Sequence, residues 1–147
     1  MLKSLAVLSL FLTTAATPVL AGEAADAVKD FYDNLGGEFA PGHRHRYTGP
    51  ALDYLTAADA AWERDETNCV SFSFAVDGQD FDEVELASTL KLDEVISGDT
   101  ATVTASFVNF GQPTQVEWTL KNSGNGWLVS DIASLANDWR VSQMSCE

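Results

Sequence analysis

Positive charge is scarce in this chain: eight Lys and Arg stand against twenty-two Asp and Glu, a formal net charge of −14 over 147 residues. A field of that sign repels phosphate backbones and anionic lipid surfaces, which argues against nucleic acid or a membrane as partner. Histidine occurs twice, as His43 and His45, and cysteine twice, as Cys69 and Cys146. There is no C-x-x-C, no Ser/His/Asp order and no glycine-rich phosphate loop, so the usual zinc, redox, nucleophilic and nucleotide sites lack their parts. No metal and no cofactor is expected. Repeats, low-complexity tracts and linkers are missing as well.

The one long apolar run opens the chain. Lys3 gives a positive start, residues 5–12 are apolar, and Val19-Leu20-Ala21 supplies small or aliphatic residues for a peptidase. The pattern predicts a secretory signal peptide over residues 1–21, cut after Ala21. Its apolar core is shorter than the roughly 20 residues needed to cross a bilayer. Residues 22–147 then form one domain, periplasmic or secreted and free of the membrane after cleavage. In an oxidising compartment Cys69 and Cys146 read as a disulfide; a metal pair or a redox pair is the alternative.

Along the mature chain, residues 23–35 have helical spacing through Ala24, Ala27, Val28, Phe31 and Leu35, and Gly36-Gly37 stops them. A loop carrying Gly42-His43-Arg44-His45-Arg46-Tyr47 follows. A second helix starts from Thr48 as N-cap with Pro50 in its first turn, placing Leu52, Leu55, Ala58 and Trp62 on one face. Residues 69–76 alternate, with Val70, Phe72, Phe74 and Val76 on one side, as a strand or a loop. Residues 77–83 make an acidic turn, and residues 85–96 alternate again. Ser97-Gly98-Asp99 marks a hairpin. Val103, Ala105 and Phe107 share one strand face, as do Val116, Trp118 and Leu120 on the next strand. Residues 127–132 make the last strand, with Leu135, Trp139 and Met144 in a closing segment. Helices followed by an antiparallel meander predict an α+β fold, helices packed on one face of the sheet. A strongly curved sheet would make a cone whose interior is either filled or a pocket.

With Gly126-Trp127-Leu128-Val129-Ser130-Asp131-Ile132 as its last strand, this order resembles the nuclear transport factor 2-like superfamily, which includes ketosteroid isomerase and scytalone dehydratase. More narrowly the chain is similar to an uncharacterised exported bacterial domain family, through "VKDFYDNL", "DGQDFDE" and "VTASFVNFG". The resemblance implies a curved, cone-like sheet and allows a homodimer through its exposed face. It brings no catalytic residues with it, and it places Gln79-Asp80 where a side chain holds a strand end or the Cys69 segment.

Several residue sets can carry function. His43 and His45 fall short of a metal's usual three or four ligands. Arg44 and Arg46 can grip an anion through bidentate bonds, or pair with local carboxylates. Asp77, Asp80, Asp82, Glu83 and Glu85 lack the spacing of a calcium loop. Isomerase chemistry needs a carboxylate base and a donor to the developing oxyanion; Tyr32 is the candidate donor, Asp53 or Asp59 the candidate base. Phe31, Tyr54, Trp62, Phe107 and Trp118 either fill the core or line a ligand pocket. The leading expectation is an exported, non-catalytic module binding a small ligand or a protein. The alternatives are an isomerase- or dehydratase-like enzyme on a small apolar substrate, and an immunity or inhibitor protein that neutralises a basic partner.

Overall fold

A computed structural model describes residues 22–146; the expected signal peptide lies outside the described residues. Helix α1 (Glu23–Asp33) buries Ala24, Val28, Phe31 and Tyr32. The first turn of a helix leaves backbone N–H groups without partners. Here the N–H groups of Gly22 and Ala25 donate to the Glu94 carboxylate at 2.9 and 2.7 Å, a charge that the helix dipole also favours. Past Asn34 the chain turns through Gly36 at φ +85°, a conformation that glycine takes without steric cost.

Two 3₁₀ turns, Gly37–Phe39 and Pro41–Arg46, lead to α2 (Gly49–Asp65), preceded by Thr48 and with Pro50 in its first turn. Its buried face is Ala51, Tyr54, Leu55 and Ala61, rotated from the expected Leu52, Leu55, Ala58 and Trp62. Two small alanines let the helix lie close to the sheet, and Trp62 stays 57% exposed.

Residues 69–76 form an irregular loop, closed by a bridge between Ser73 and Gly78. Phe74, Ala75 and Val76 are buried in succession, which an alternating strand cannot do. Asp77 follows in the left-handed region at φ +54°. Its carboxylate accepts from Ser134 Oγ (2.6 Å), Asn137 Nδ2 (2.7 Å) and Trp139 Nε1 (2.6 Å), so Asp77 anchors this loop to the end of the sheet. The neighbouring Gln79 adds a bond from Nε2 to the Ser71 carbonyl at 3.2 Å.

The expected strand from residue 85 is corrected by a helix, α3 (Glu83–Thr89). The Asp82 side chain caps it, accepting from the Glu85 N–H at 2.9 Å, and Leu86 turns into the core. The five strands are β1 (Lys91–Ser97), β2 (Thr100–Asn109), β3 (Gln112–Asn122), β4 (Trp127–Ser134) and β5 (Trp139–Arg140). They form one antiparallel sheet in the order β1-β2-β3-β4-β5. Ala105 pairs with Val116, Val103 with Trp118 and Trp118 with Ile132. A register shift at Thr119/Leu120 inserts an extra residue in β4, so Val129 and Ile132, three apart, both face inward. The meander does not end at Ile132, because β5 pairs with the end of β4. All three helices share one apolar core with this inner face.

Cys69 and Cys146 form a disulfide across a separation of 77 residues, tying the C-terminal segment to the loop after α2. In the chain-entropy account, closing a loop of that length contributes roughly 4–5 kcal/mol. The Cys69→Ser/Cys146→Ser variant is therefore expected to lose most of that amount in chemical denaturation, and an unchanged midpoint and slope would contradict it.

Candidate binding surface

Between α1 and the sheet, aromatic rings pack against one another. Phe31 stacks on Trp118 with ring centroids 5.0 Å apart. Tyr32 lies tilted on Phe107 at 5.8 Å and edge-on to Trp118 at 6.0 Å. The indole N–H of Trp118 donates to the Tyr32 hydroxyl (3.2 Å), which in turn donates to the Ala75 carbonyl (2.8 Å). Phe31, Phe107 and Trp118, the candidates for a pocket wall, are thus buried in side-chain contacts, and the Tyr32 proton is directed at backbone. Tyr54, on the buried face of α2, packs against Phe74 with ring centroids 6.2 Å apart and donates to the Cys69 carbonyl at 2.6 Å.

Beneath these rings lies an acid that periodicity did not single out. Glu38 is fully buried; one carboxylate oxygen accepts from Ser73 Oγ, and the other has no hydrogen-bond partner among the described residues. The Tyr47 hydroxyl donates to the Glu38 backbone carbonyl at 3.1 Å. Burial pushes the phenols of Tyr32 and Tyr47 well above the ordinary tyrosine range, and the neighbouring Glu38 carboxylate adds to the rise in both.

Arg44, Asp59 and Trp62, distributed over two separate elements, meet at one surface groove of about 230 Å³ with Phe39, Leu55, Ala58, Cys69 and Val70. Arg44 Nε and Nη2 each donate to the Asp59 carboxylate at 2.8 Å. The remaining guanidinium protons go to the carbonyls of Phe39 (2.9 Å), Ala40 (3.3 Å) and Glu38 (3.4 Å). A guanidinium has five N–H donors, and this protein uses all of those on Arg44 internally, so none is left for an external anion. Arg46 points elsewhere: it donates to the Ala27 carbonyl at 3.1 Å, lies 3.7 Å from Asp30, and covers the Phe31 ring at 3.7 Å. His43 and His45 each contact a loop carbonyl, of Gly37 and Gly42. Among the described residues no three His, Cys, Asp or Glu side chains converge as metal ligands would. The groove is smaller than the 300–1,000 Å³ typical of small-molecule sites. Asp53 is not part of it and lies beside Pro50 and Tyr54 in a second shallow depression against the C-terminal segment.

On the outer sheet face Arg140 bridges Glu117 (3.0 Å) and Asp131 (3.1 Å). The hydrogen bonds to these two carboxylates raise its pKa further.

No family model and no curated protein matches the chain. Two crystal structures of the type VI effector–immunity complex Tae3–Tai3 from Ralstonia pickettii, one selenomethionine-labelled and one native, contain a chain of similar fold. Identity is 19% and 20%, the TM-score is 0.53 in both, and the match covers 76% of this chain and 95% and 93% of that chain. At such identity the likeness establishes the shared fold.

The buried phenols give a pH dependence. Their folded-state pKa values lie above the unfolded value of 10.0, so the stability they contribute is complete below that pH and is lost as pH rises past it. Tyr32 and Tyr47 are expected to stay protonated through about pH 10 and to ionise only as the protein unfolds. Spectrophotometric titration followed alongside circular dichroism checks this; phenolate formation by all three tyrosines near pH 10 in a folded protein would contradict it.

Proposed function

We propose that this chain is an exported, non-catalytic module of the immunity type, which binds a basic protein partner and blocks it. The observation that carries this reading is the fold likeness to nearly the full length of a chain from an effector–immunity complex. Charge supports it, since a net −14 steers a cationic protein toward the surface and speeds its capture. The packed rings between α1 and the sheet support it too: Tyr32 is engaged with Ala75 and Asp59 with Arg44, so neither is poised for isomerase chemistry.

Export is part of the proposal. The backbone nitrogen of Gly22 lies 2.9 Å from the Glu94 carboxylate, a contact that an α-ammonium freed by cleavage after Ala21 would strengthen. The disulfide agrees with an oxidising compartment. Membership of the nuclear transport factor 2-like superfamily, with its curved sheet, belongs to the same proposal and is supported by the helix-then-meander order.

Native mass spectrometry of the mature chain isolated from its own cells tests the reading. The expected result is a complex with a protein of basic sequence, whose association slows about tenfold or more as salt is raised. A retained apolar small molecule, or a chain isolated alone under every condition, would contradict it.

A further inference from the structure

Single apolar side chains on a surface need no explanation, but three at one end of this molecule do. Phe81, Val84 and Phe110 are 37%, 80% and 61% exposed. They sit on two segments tied together by hydrogen bonds. The Asp82 N–H donates to Asn109 Oδ1 (3.0 Å), Asn109 Nδ2 donates to the Asp80 carbonyl (3.1 Å), and the Gly111 N–H donates to the Glu85 carboxylate (3.0 Å).

Phe110 is placed against local preference. It and Gly111 form the two-residue turn between β2 and β3, with φ of +49° and +74°. Two positive φ values in such a turn call for Asn-Gly or Asp-Gly, and a bulky residue there is an outlier. The ring gains little burial in return. The two segments are acidic: residues 66–90 and 101–120 contain no Lys or Arg, Asp80, Asp82, Glu83 and Glu85 flank the apolar trio, and the nearest cation in sequence is Lys91 at the start of β1. An apolar centre with an aromatic anchor and a charged rim is the anatomy of a binding epitope.

We infer that this tip is the docking element: Phe110, flanked by Phe81 and Val84, enters an apolar cleft on a basic protein partner whose cationic rim faces Asp80, Asp82 and Glu83. The inference rests on the reading above that the chain binds a basic protein, and adds where it does so.

The test uses the mature chain, the Phe110→Asn variant and, as control, Leu135→Ala, a still more exposed apolar position just past β4 (74%). The probe is the basic protein that co-purifies with the wild-type chain, itself purified and titrated against each form. Phe110→Asn installs the preferred turn pair, so its Tm is expected to rise by a few degrees, about 2–6 °C. Its affinity is expected to fall about thirty-fold or more, while Leu135→Ala binds like wild type. Wild-type affinity in Phe110→Asn would overturn the inference and leave the broader reading standing. A lowered Tm in that variant would overturn it as well, by making the ring structural. Absence of any complex with the wild-type chain would overturn both together.

Discussion

Trp118 must be kept dry and its indole N–H must still be paired, and much of the architecture follows from that constraint. The residue is fully buried on the central strand β3. Burying its ~150–250 Å² is worth about 4–6 kcal/mol at 25 cal/mol/Å², but an unpaired indole donor would forfeit part of that. Tyr32 resolves the conflict by accepting from Trp118 while donating to Ala75. One phenol thereby fixes the sheet, α1 and the loop after α2 relative to one another. Phe31, one residue earlier on the same helix, closes the other side of the indole.

The negative surface has its origin in composition, twenty-two acids against eight Lys and Arg, and in how the cations are used. Each of the four arginines pairs with an acid of the same chain: Arg44 with Asp59, Arg46 with Asp30, Arg64 with Asp65 at the surface, and Arg140 with Glu117 and Asp131. Arg44, Arg46 and Arg140 thereby hold loops and strands in place, and among the described residues every acid but the buried Glu38 is at least partly exposed. In the proposed role, net charge selects the chemistry of a partner, whereas shape and exposed apolar groups set where that partner sits.

Period alone made part of this legible. The inward faces Val103-Ala105-Phe107 and Val116-Trp118-Leu120 could be read because β2 and β3 alternate without interruption, and α1 because its apolar stripe is clean. The oxidising-compartment argument for Cys69 and Cys146 points to the bridge that the structure contains. Helix α3 escaped because the four-residue spacing of Leu86 and Leu90 fits a helix turn and a strand alternation alike, and Leu92, already in β1, extends the alternation; Asp82 with Glu85 three residues on was the available capping signal. The buried face of α2 was misplaced because Ala51 and Ala61 bury as well as larger residues when a helix lies close to a sheet. In the candidate surface, Arg44, Asp59 and Trp62 do share one groove, but the Arg44–Asp59 pairing is set by tertiary contact. Glu38 and Asp77 had no local signature: their roles come from Ser73, Ser134, Asn137 and Trp139, distant in sequence.

The interior is closed around Trp118, and hydrogen exchange of the indole N–H groups tests that closure directly. The Trp118 indole proton is expected to exchange only through global unfolding, with an opening free energy equal to that from denaturation, while the exposed Trp62 indole exchanges freely. Exchange at Trp118 as fast as at Trp62, in protein that remains folded, would show water reaching the centre and would contradict the account.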